Sequence, residues 1–309
     1  NTLIGSLVGD ALTSGGANVA IGGGASYAAL GSDTQGKFTT AIGFGALTAQ
    51  NFTSDTASNN TAVGYFAGGV MTTGTNNTFI GGNAGDDCVD GTDNVAVGYG
   101  SLSADAGNQN TVVGSLAGAA NTASETTAIG YKAATSNTSG VNITAVGKQA
   151  LEDNTTGASN TAVGLACLAD NTTGGSNTAI GVSSMRYNTT GGTNTAVGQN
   201  ALQDNTTASN STAVGYDALA DGTTGGYNTA IGYKAMCVAT TAHNSVAMGW
   251  QALDSLTTAG ANVAVGNYTL QATTTQLGST ALGHYAGFYS AADTNVFVGY
   301  LAGYGGGNT

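Results

Sequence analysis

The stretch Asn60-Thr61-Ala62-Val63-Gly64 recurs along this chain of 309 residues and decides its fold. Eighteen copies of the block end in a glycine, and successive glycines are 17 residues apart in twelve of seventeen intervals. Three intervals are shorter by one residue, and the two between Gly22 and Gly64 are longer by four. A period of this length is typical of a solenoid, in which each repeat is one turn of a continuous coil.

The residue types at each position of the block vary less from copy to copy than the spacing between blocks does. Thr or Val stands three residues before every glycine, and Ile, Val, Leu or Met stands one before it. Ala stands between them in fourteen copies, and Asn stands four before the glycine in twelve. Because β-branched residues favour extended backbone, each block predicts a short β-strand.

A unit of this length is too small to bury a core alone, but it can stack on its neighbours. We therefore expect one all-β domain over residues 1–309, a parallel β-solenoid of eighteen rungs with about 17 residues each. At a spacing of about 4.8 Å, this predicts roughly 80 Å of rod. Segments such as 152–157 are expected to be turns. The two longer repeats should extend turns and leave the strands unchanged.

The alternation of the strand predicts assembly. The Thr/Val and Ile/Val positions share one face and the Ala position lies on the other, because strand side chains alternate. Both faces are apolar, whereas a strand with one face in water would alternate apolar with polar residues. One face can line the coil. The other apolar face would be covered if it packed against another copy of the chain, so we expect a homo-oligomer, specifically a trimer. The pattern leaves open which face is the interior.

Composition excludes several classes of protein. Five Lys and Arg residues stand against seventeen Asp and Glu, which gives a formal charge of −12 and disfavours binding to nucleic acid. No apolar run has the length of a membrane span, so we expect no membrane insertion of this segment. Two His and three Cys residues form no catalytic or redox motif. We expect no enzymatic activity and no cofactor, with calcium as the one candidate ion.

The block Asn244-Ser245-Val246-Ala247-Met248-Gly249 resembles the head repeat of trimeric autotransporter adhesins. The version Asn194-Thr195-Ala196-Val197-Gly198 is similar to repeats in bacteriophage tail fibres. The resemblance implies a left-handed parallel β-roll of three chains, located outside the cell, at the cell surface or in a virion tail. It also implies attachment to a cell-surface glycan or protein. The usual step is longer than that of the adhesin heads, so the turns must differ.

The expected function is that of a structural and adhesive extracellular fibre, as the rod or head segment of a surface adhesin or phage tail fibre. Asn1 opens one block and Asn308-Thr309 matches the start of another, so we expect a segment of a longer fibre. One alternative is a self-assembling extracellular filament, able to carry glycans, whose subunits stack end to end. Another is an ice-binding solenoid, which would need the Thr column as a flat, exposed grid.

Aspartates are the candidate metal ligands. Asp86, Asp87, Asp90 and Asp93 form a dense acidic loop, although they lack the full calcium-loop spacing. Asp153 and Asp170 occupy one turn column, six residues after the glycine, and are expected on adjacent rungs. Like charges so close repel unless water or a cation such as calcium lies between them. Aspartate that caps its own turn is the alternative.

Asparagines and aromatic residues are the other candidate sites. The Asn column that opens the block is expected to form stacked amide ladders. A stripe of aromatic residues directly after the block glycine can bind sugars or cover a seam between chains. Asn-x-Ser/Thr sequons are dense and mark sites for glycosylation. The candidate glycosylation sites are Asn154, Asn171, Asn188 and Asn205.

Overall fold

The computed structural model describes residues 1–23 and 29–305, and confirms an all-β parallel β-solenoid with one turn of the coil for each repeat. Two compact units are distinguished, 1–156 and 157–309. The copy expected to begin at Asn308-Thr309 lies outside the described residues. In the part of the chain that the structure describes, no helix is long and apolar enough to cross a membrane.

The first unit carries one short strand per block. Each block strand pairs in parallel and in register with the block strand of the next rung, so that Thr61, for example, lies opposite Thr78. The strands are β1 (Thr2–Ile4), β2 (Val19–Ile21), β3 (Gly36–Lys37), β4 (Thr40–Ile42), β5 (Thr56–Ala57), β6 (Thr61–Val63), β7 (Thr78–Ile80), β8 (Val95–Val97), β9 (Thr111–Val113), β10 (Thr126–Ile129) and β11 (Ile143–Val146).

The second unit repeats the same arrangement. Its strands also pair in parallel with the strand of the next rung, with Thr195 opposite Thr212 and Val197 opposite Val214. They are β12 (Thr161–Val163), β13 (Thr178–Ile180), β14 (Thr195–Val197), β15 (Thr212–Val214), β16 (Thr229–Ile231), β17 (Val246–Met248), β18 (Val263–Val265), β19 (Thr280–Leu282) and β20 (Val296–Val298).

The two longer repeats place their extra residues in the turns, as the sequence predicts. The block strands β4 and β6 keep three residues each. The longer repeats also contain strands β3 and β5, which pair in parallel as a separate two-stranded sheet. This second sheet was not predicted from the sequence.

Two columns of apolar side chains supply much of the coil interior. The Ala at the centre of the strand is fully buried, as Ala196 and Ala213 show. The residue four positions after the block glycine faces the same interior, and each such Leu contributes about 1.5–3 kcal/mol by leaving water. Fully buried members of this second column are Leu151, Leu168, Met185, Leu202, Leu219 and Met236.

Left-handed backbone at three positions in a typical rung turns the chain. These positions lie two and four residues after the block glycine and five before the next, as at Asn200 (φ 57°), Leu202 (φ 52°) and Asn210 (φ 61°). A left-handed conformation costs an L-residue about 1–2 kcal/mol. Burial of Leu202 offsets that cost, whereas the exposed position of Asn210 suits a residue that tolerates left-handed backbone.

Candidate functional site

The outer face of the strands is a regular surface in each unit. Thr195 and Val197 point outward and are half-buried, while Ala196 between them points inward. This resolves which face lines the coil, namely the Ala face. The Thr and aliphatic columns reach solvent in the single chain, and Met248, for instance, is 40% exposed. The expectation that a second chain covers this face stays a prediction.

A third outward column, directly after the block glycine, carries stacked aromatic rings. Tyr216 stacks on Tyr233 with ring centroids 5.4 Å apart, and Tyr233 stacks on Trp250 at 4.3 Å. Because the middle ring has a neighbour on each face, only the end rings of this stack have a face available for a sugar. The stack therefore suits a seam better than a glycan platform. The aromatic residues of this column are Phe44, Tyr65, Tyr99, Tyr131, Tyr216, Tyr233, Trp250 and Tyr300.

The Asn column that opens the block forms the predicted amide ladder. Asn177 is fully buried, and its backbone N–H donates to Oδ1 of Asn160 at 2.9 Å. Oδ1 of Asn177 accepts in turn from the backbone N–H of Asn194 at 3.0 Å. Its Nδ2 donates to the carbonyl oxygen of Gly191 at 2.9 Å. Where Ser211 replaces Asn, its hydroxyl still accepts from the next rung, at 3.3 Å.

A second ladder occupies the column seven residues after the glycine, and its role was not predicted from the sequence. In the first unit, Nδ2 of Asn154 donates to Oδ1 of Asn137 at 2.9 Å. In the second unit, Asn188 donates to Asn171 at 2.7 Å and Asn205 donates to Asn188 at 2.6 Å. The recurrence of Asn at the repeat spacing was the signal that could have revealed this ladder.

This second ladder bears directly on glycosylation. Asn154, Asn171, Asn188 and Asn205, the four candidate sites, are fully buried. N-glycosylation attaches a glycan to the side-chain amide nitrogen. In the folded chain the nitrogen of Asn188 already donates to Oδ1 of Asn171 and to the carbonyl oxygen of Gly191. A glycan could therefore reach these sites only before the chain folds.

The acidic loop does not gather its four carboxylates into one ligand set. Asp86 accepts from Nδ2 of Asn83 at 2.6 Å, and Asp93 accepts from Nδ2 of Asn76 at 3.0 Å. Asp87 and Asp90 are exposed. Within residues 1–23 and 29–305, no group of three or more His, Cys, Asp or Glu side chains is placed to hold a metal ion.

The turn aspartates lie near the surface. Asp153, in the first unit, is exposed, and Asp170, in the second, is half-buried. Another member of the column, Asp221, has a pKa raised by burial and by the negative charges of Asp204 and Asp217. In the second unit the column thus brings the like charges of Asp204 and Asp221 close together, while the adjacency of Asp153 and Asp170 and calcium binding there stay predictions.

The three cysteines are free thiols. Cys167 and Cys88 are buried, whereas Cys237 is partly exposed. Burial raises the pKa of the Cys167 thiol to about 12 and that of Cys88 to about 11. Both thiols therefore stay protonated at neutral pH and are poor nucleophiles.

Neither a scan against protein-family models nor a search of curated proteins found a match to this chain. The firm description is consequently that of the fold, a parallel β-solenoid of 17-residue rungs rich in Thr and Asn.

Proposed function

We propose that this chain is a structural segment, the rod or head, of an extracellular attachment fibre at a cell surface or in a virion tail. The observation that carries the proposal is that two sets of hydrogen bonds, one from the backbone and one from side chains, join successive rungs within each unit. Strand pairing links their backbones, and the buried amides of Asn177 and Asn188 link their turns. A coil bonded in this way within each unit resists local opening and proteolysis, which is what an attachment fibre needs.

The outer face supports side-by-side assembly of copies, as in the adhesin and tail-fibre repeats that the blocks resemble. Thr, aliphatic and aromatic columns run next to one another on this face, and Ile180 and Tyr216 are 41% and 43% exposed. Apolar columns of this length stabilise an oligomer when copies cover them. We propose a homotrimer, in which the exposed turns remain available to a glycan or protein receptor.

Sedimentation equilibrium tests the assembly. A trimer should sediment at about three times the chain mass of 29.9 kDa. The variant Val197→Glu places a charge on the outer face and should shift the mass toward one chain. The matched control Thr207→Glu, on an exposed turn of the same unit, should keep the trimer. A wild-type monomer would contradict the proposal, and open-ended growth would favour the end-to-end filament.

Ice binding is the second candidate, and the solvent exposure of the Thr column favours it. The half-buried Thr178 and Thr195 lie on successive rungs about 4.8 Å apart. Valine interrupts the column at five rungs, which weakens a regular grid. The interruptions are Val19, Val95, Val246, Val263 and Val296. Thermal hysteresis of a monomeric solution, lost in Val197→Glu, would support ice binding over the fibre.

A further inference from the structure

A pocket opens on the outside of the first unit, beside the acidic loop. Its volume is about 510 Å³, and its walls include Tyr65, Phe66, Asp86 and Asp87. Gly69 helps to make the room, since a Cβ there would lie 2.9 Å from Cδ1 of Phe66. The pocket therefore joins an aromatic wall to an acidic one.

The acidic wall contains a carboxylate oxygen without a partner. Oδ2 of Asp86 accepts from Nδ2 of Asn83 at 2.6 Å. Oδ1 of Asp86 is shielded from water and forms no well-oriented hydrogen bond, although the backbone N–H groups of Asp86 and Asp87 interact with this carboxylate. Burial raises the pKa of Asp86, the Asn83 hydrogen bond opposes this, and the charge of Asp87 adds to it. A partly buried carboxylate without a cationic partner is costly, and the positive charge of a cation in the pocket would relieve part of that cost without reaching Oδ1 itself.

Two other turns of the chain have the same amide and acid positions as Asn83 and Asp86, together with a lysine in the preceding rung. An amide two residues after the block glycine donates to an acid five after it, as Gln149 does to Glu152 at 2.6 Å. The remaining oxygen of Glu152 lies 3.1 Å from Nζ of Lys132, which stands two residues after the glycine of the preceding rung. The acid is thus held between an amide and an ammonium group.

The third turn of this kind also has a lysine one rung earlier. Gln251 donates to Asp254 at 3.1 Å, and burial raises the pKa of Asp254 while the charge of Lys234 lowers it. In the pocket, Asn83 and Asp86 take the amide and acid positions, but the lysine position is held by Phe66. The pocket therefore has the acid, Asp86, but no lysine of the chain at the position that would pair with it.

We propose that the pocket binds an alkylammonium group from outside the chain, which takes the place beside the acid that Lys132 occupies next to Glu152. The ammonium group pairs with the Asp86 carboxylate, and Asp87 adds attraction. The alkyl stem packs against Phe66 and Tyr65, as lysine stems pack on apolar surface elsewhere. An aromatic ring near the cation adds a cation–π contribution.

Titration with n-butylammonium, followed by amide chemical shifts in NMR spectra, tests the proposal on the full chain. The amides of Asn83, Asp86 and Asp87 should shift and saturate with a Kd on the order of 1 mM, given so small a ligand. The neutral analogue 1-butanol should give no saturable shift. Absence of saturable shifts at these amides up to about 50 mM butylammonium would overturn the proposal.

Three variants locate the site. Asp86→Asn removes the charge with little change of shape and should weaken binding by about tenfold or more. Phe66→Lys supplies the internal cation and should abolish binding. Asp153→Asn makes the same change of charge on an exposed turn and should bind like the wild type. Unchanged binding by Asp86→Asn would refute the proposal, whether or not Phe66→Lys folds.

A second ligand distinguishes the source of the ammonium group. Nα-acetyl-lysine methylamide carries the same group on a peptide backbone. Binding as tight as that of butylammonium would support the docking of a lysine side chain from a partner protein. Binding of butylammonium alone would support a free amine as the natural ligand, because the pocket then excludes a peptide backbone.

Discussion

Replacement of Asn177 measures how much the buried amide ladder stabilises the coil. Asn177→Ala leaves the backbone N–H of Asn194 without its acceptor at a fully buried position. An orphaned buried donor costs about 1–3 kcal/mol. The lost bond to the carbonyl oxygen of Gly191 costs about 1 kcal/mol more. That oxygen also accepts from Asn188 at 3.0 Å, so it is not orphaned. The expected loss of stability is about 2–4 kcal/mol.

The chain itself supplies a milder substitution for comparison. Ser211, Ser245 and Ser279 occupy the same column, and each hydroxyl accepts the next backbone N–H at 3.2–3.3 Å. Asn177→Ser should therefore keep that hydrogen bond and lose only the one to Gly191, at a cost of about 1 kcal/mol.

Urea denaturation and amide hydrogen exchange measure these effects. The free energy of unfolding should decrease in the order wild type, Asn177→Ser, Asn177→Ala, and exchange at the Asn194 amide should accelerate in the same order. Thr207→Ala, on an exposed turn of the same unit, should stay within about 0.5 kcal/mol of the wild type. Equal stability of the Ala and Ser variants, or of Asn177→Ala and the wild type, would refute the reasoning.

Three further predictions concern the glycine column, the left-handed turns and the thiols. Gly198 has a φ of +136°, and a Cβ added there would lie 2.4 Å from the carbonyl oxygen of Gly215 in the next rung. Gly198→Ala should therefore lower the melting temperature strongly. Gly16→Ala should not lower it, because a Cβ added at Gly16 meets nothing within 4 Å. Tyr227→Gly should raise the unfolding free energy by about 1 kcal/mol by relieving a left-handed backbone (φ 61°), and Tyr187→Gly, with no such backbone, should lower it. Cys167, whose pKa is raised from 9.0 to about 12 by burial, should resist alkylation at pH 8 until the chain unfolds. Because folding favours the protonated thiol, stability should fall as pH rises from 9 toward 12, which urea titrations at several pH values would detect.

The strands and their register could be predicted from the sequence because the same block returns at nearly constant spacing. Thr161, Ala162 and Val163 have the same residue types as their partners in the next rung, apart from one change of Val to Ile, so in-register stacking follows directly. The first amide ladder was predictable for the same reason. Repetition in the chain becomes repetition in space when each rung contacts only its neighbours.

The turns were harder to predict. Leu202 adopts a left-handed conformation that its residue type disfavours, and the gain from burying its side chain allows it. The sequons at Asn188 and Asn205 match a glycosylation signal, but the fold buries their amides in a ladder. A residue pattern does not show which turn positions point into the coil.

The sequence by itself determined the rung length, the strand positions and the apolar character of both strand faces. Only the tertiary structure decided that the Ala face lines the coil, since left-handed residues such as Asn200 and Leu202 set the direction in which each turn bends. It also placed Phe66 and Asp86, which belong to different repeats, in the lining of one pocket. Such contacts arise from stacking one rung on the next, and a single repeat read alone does not contain them.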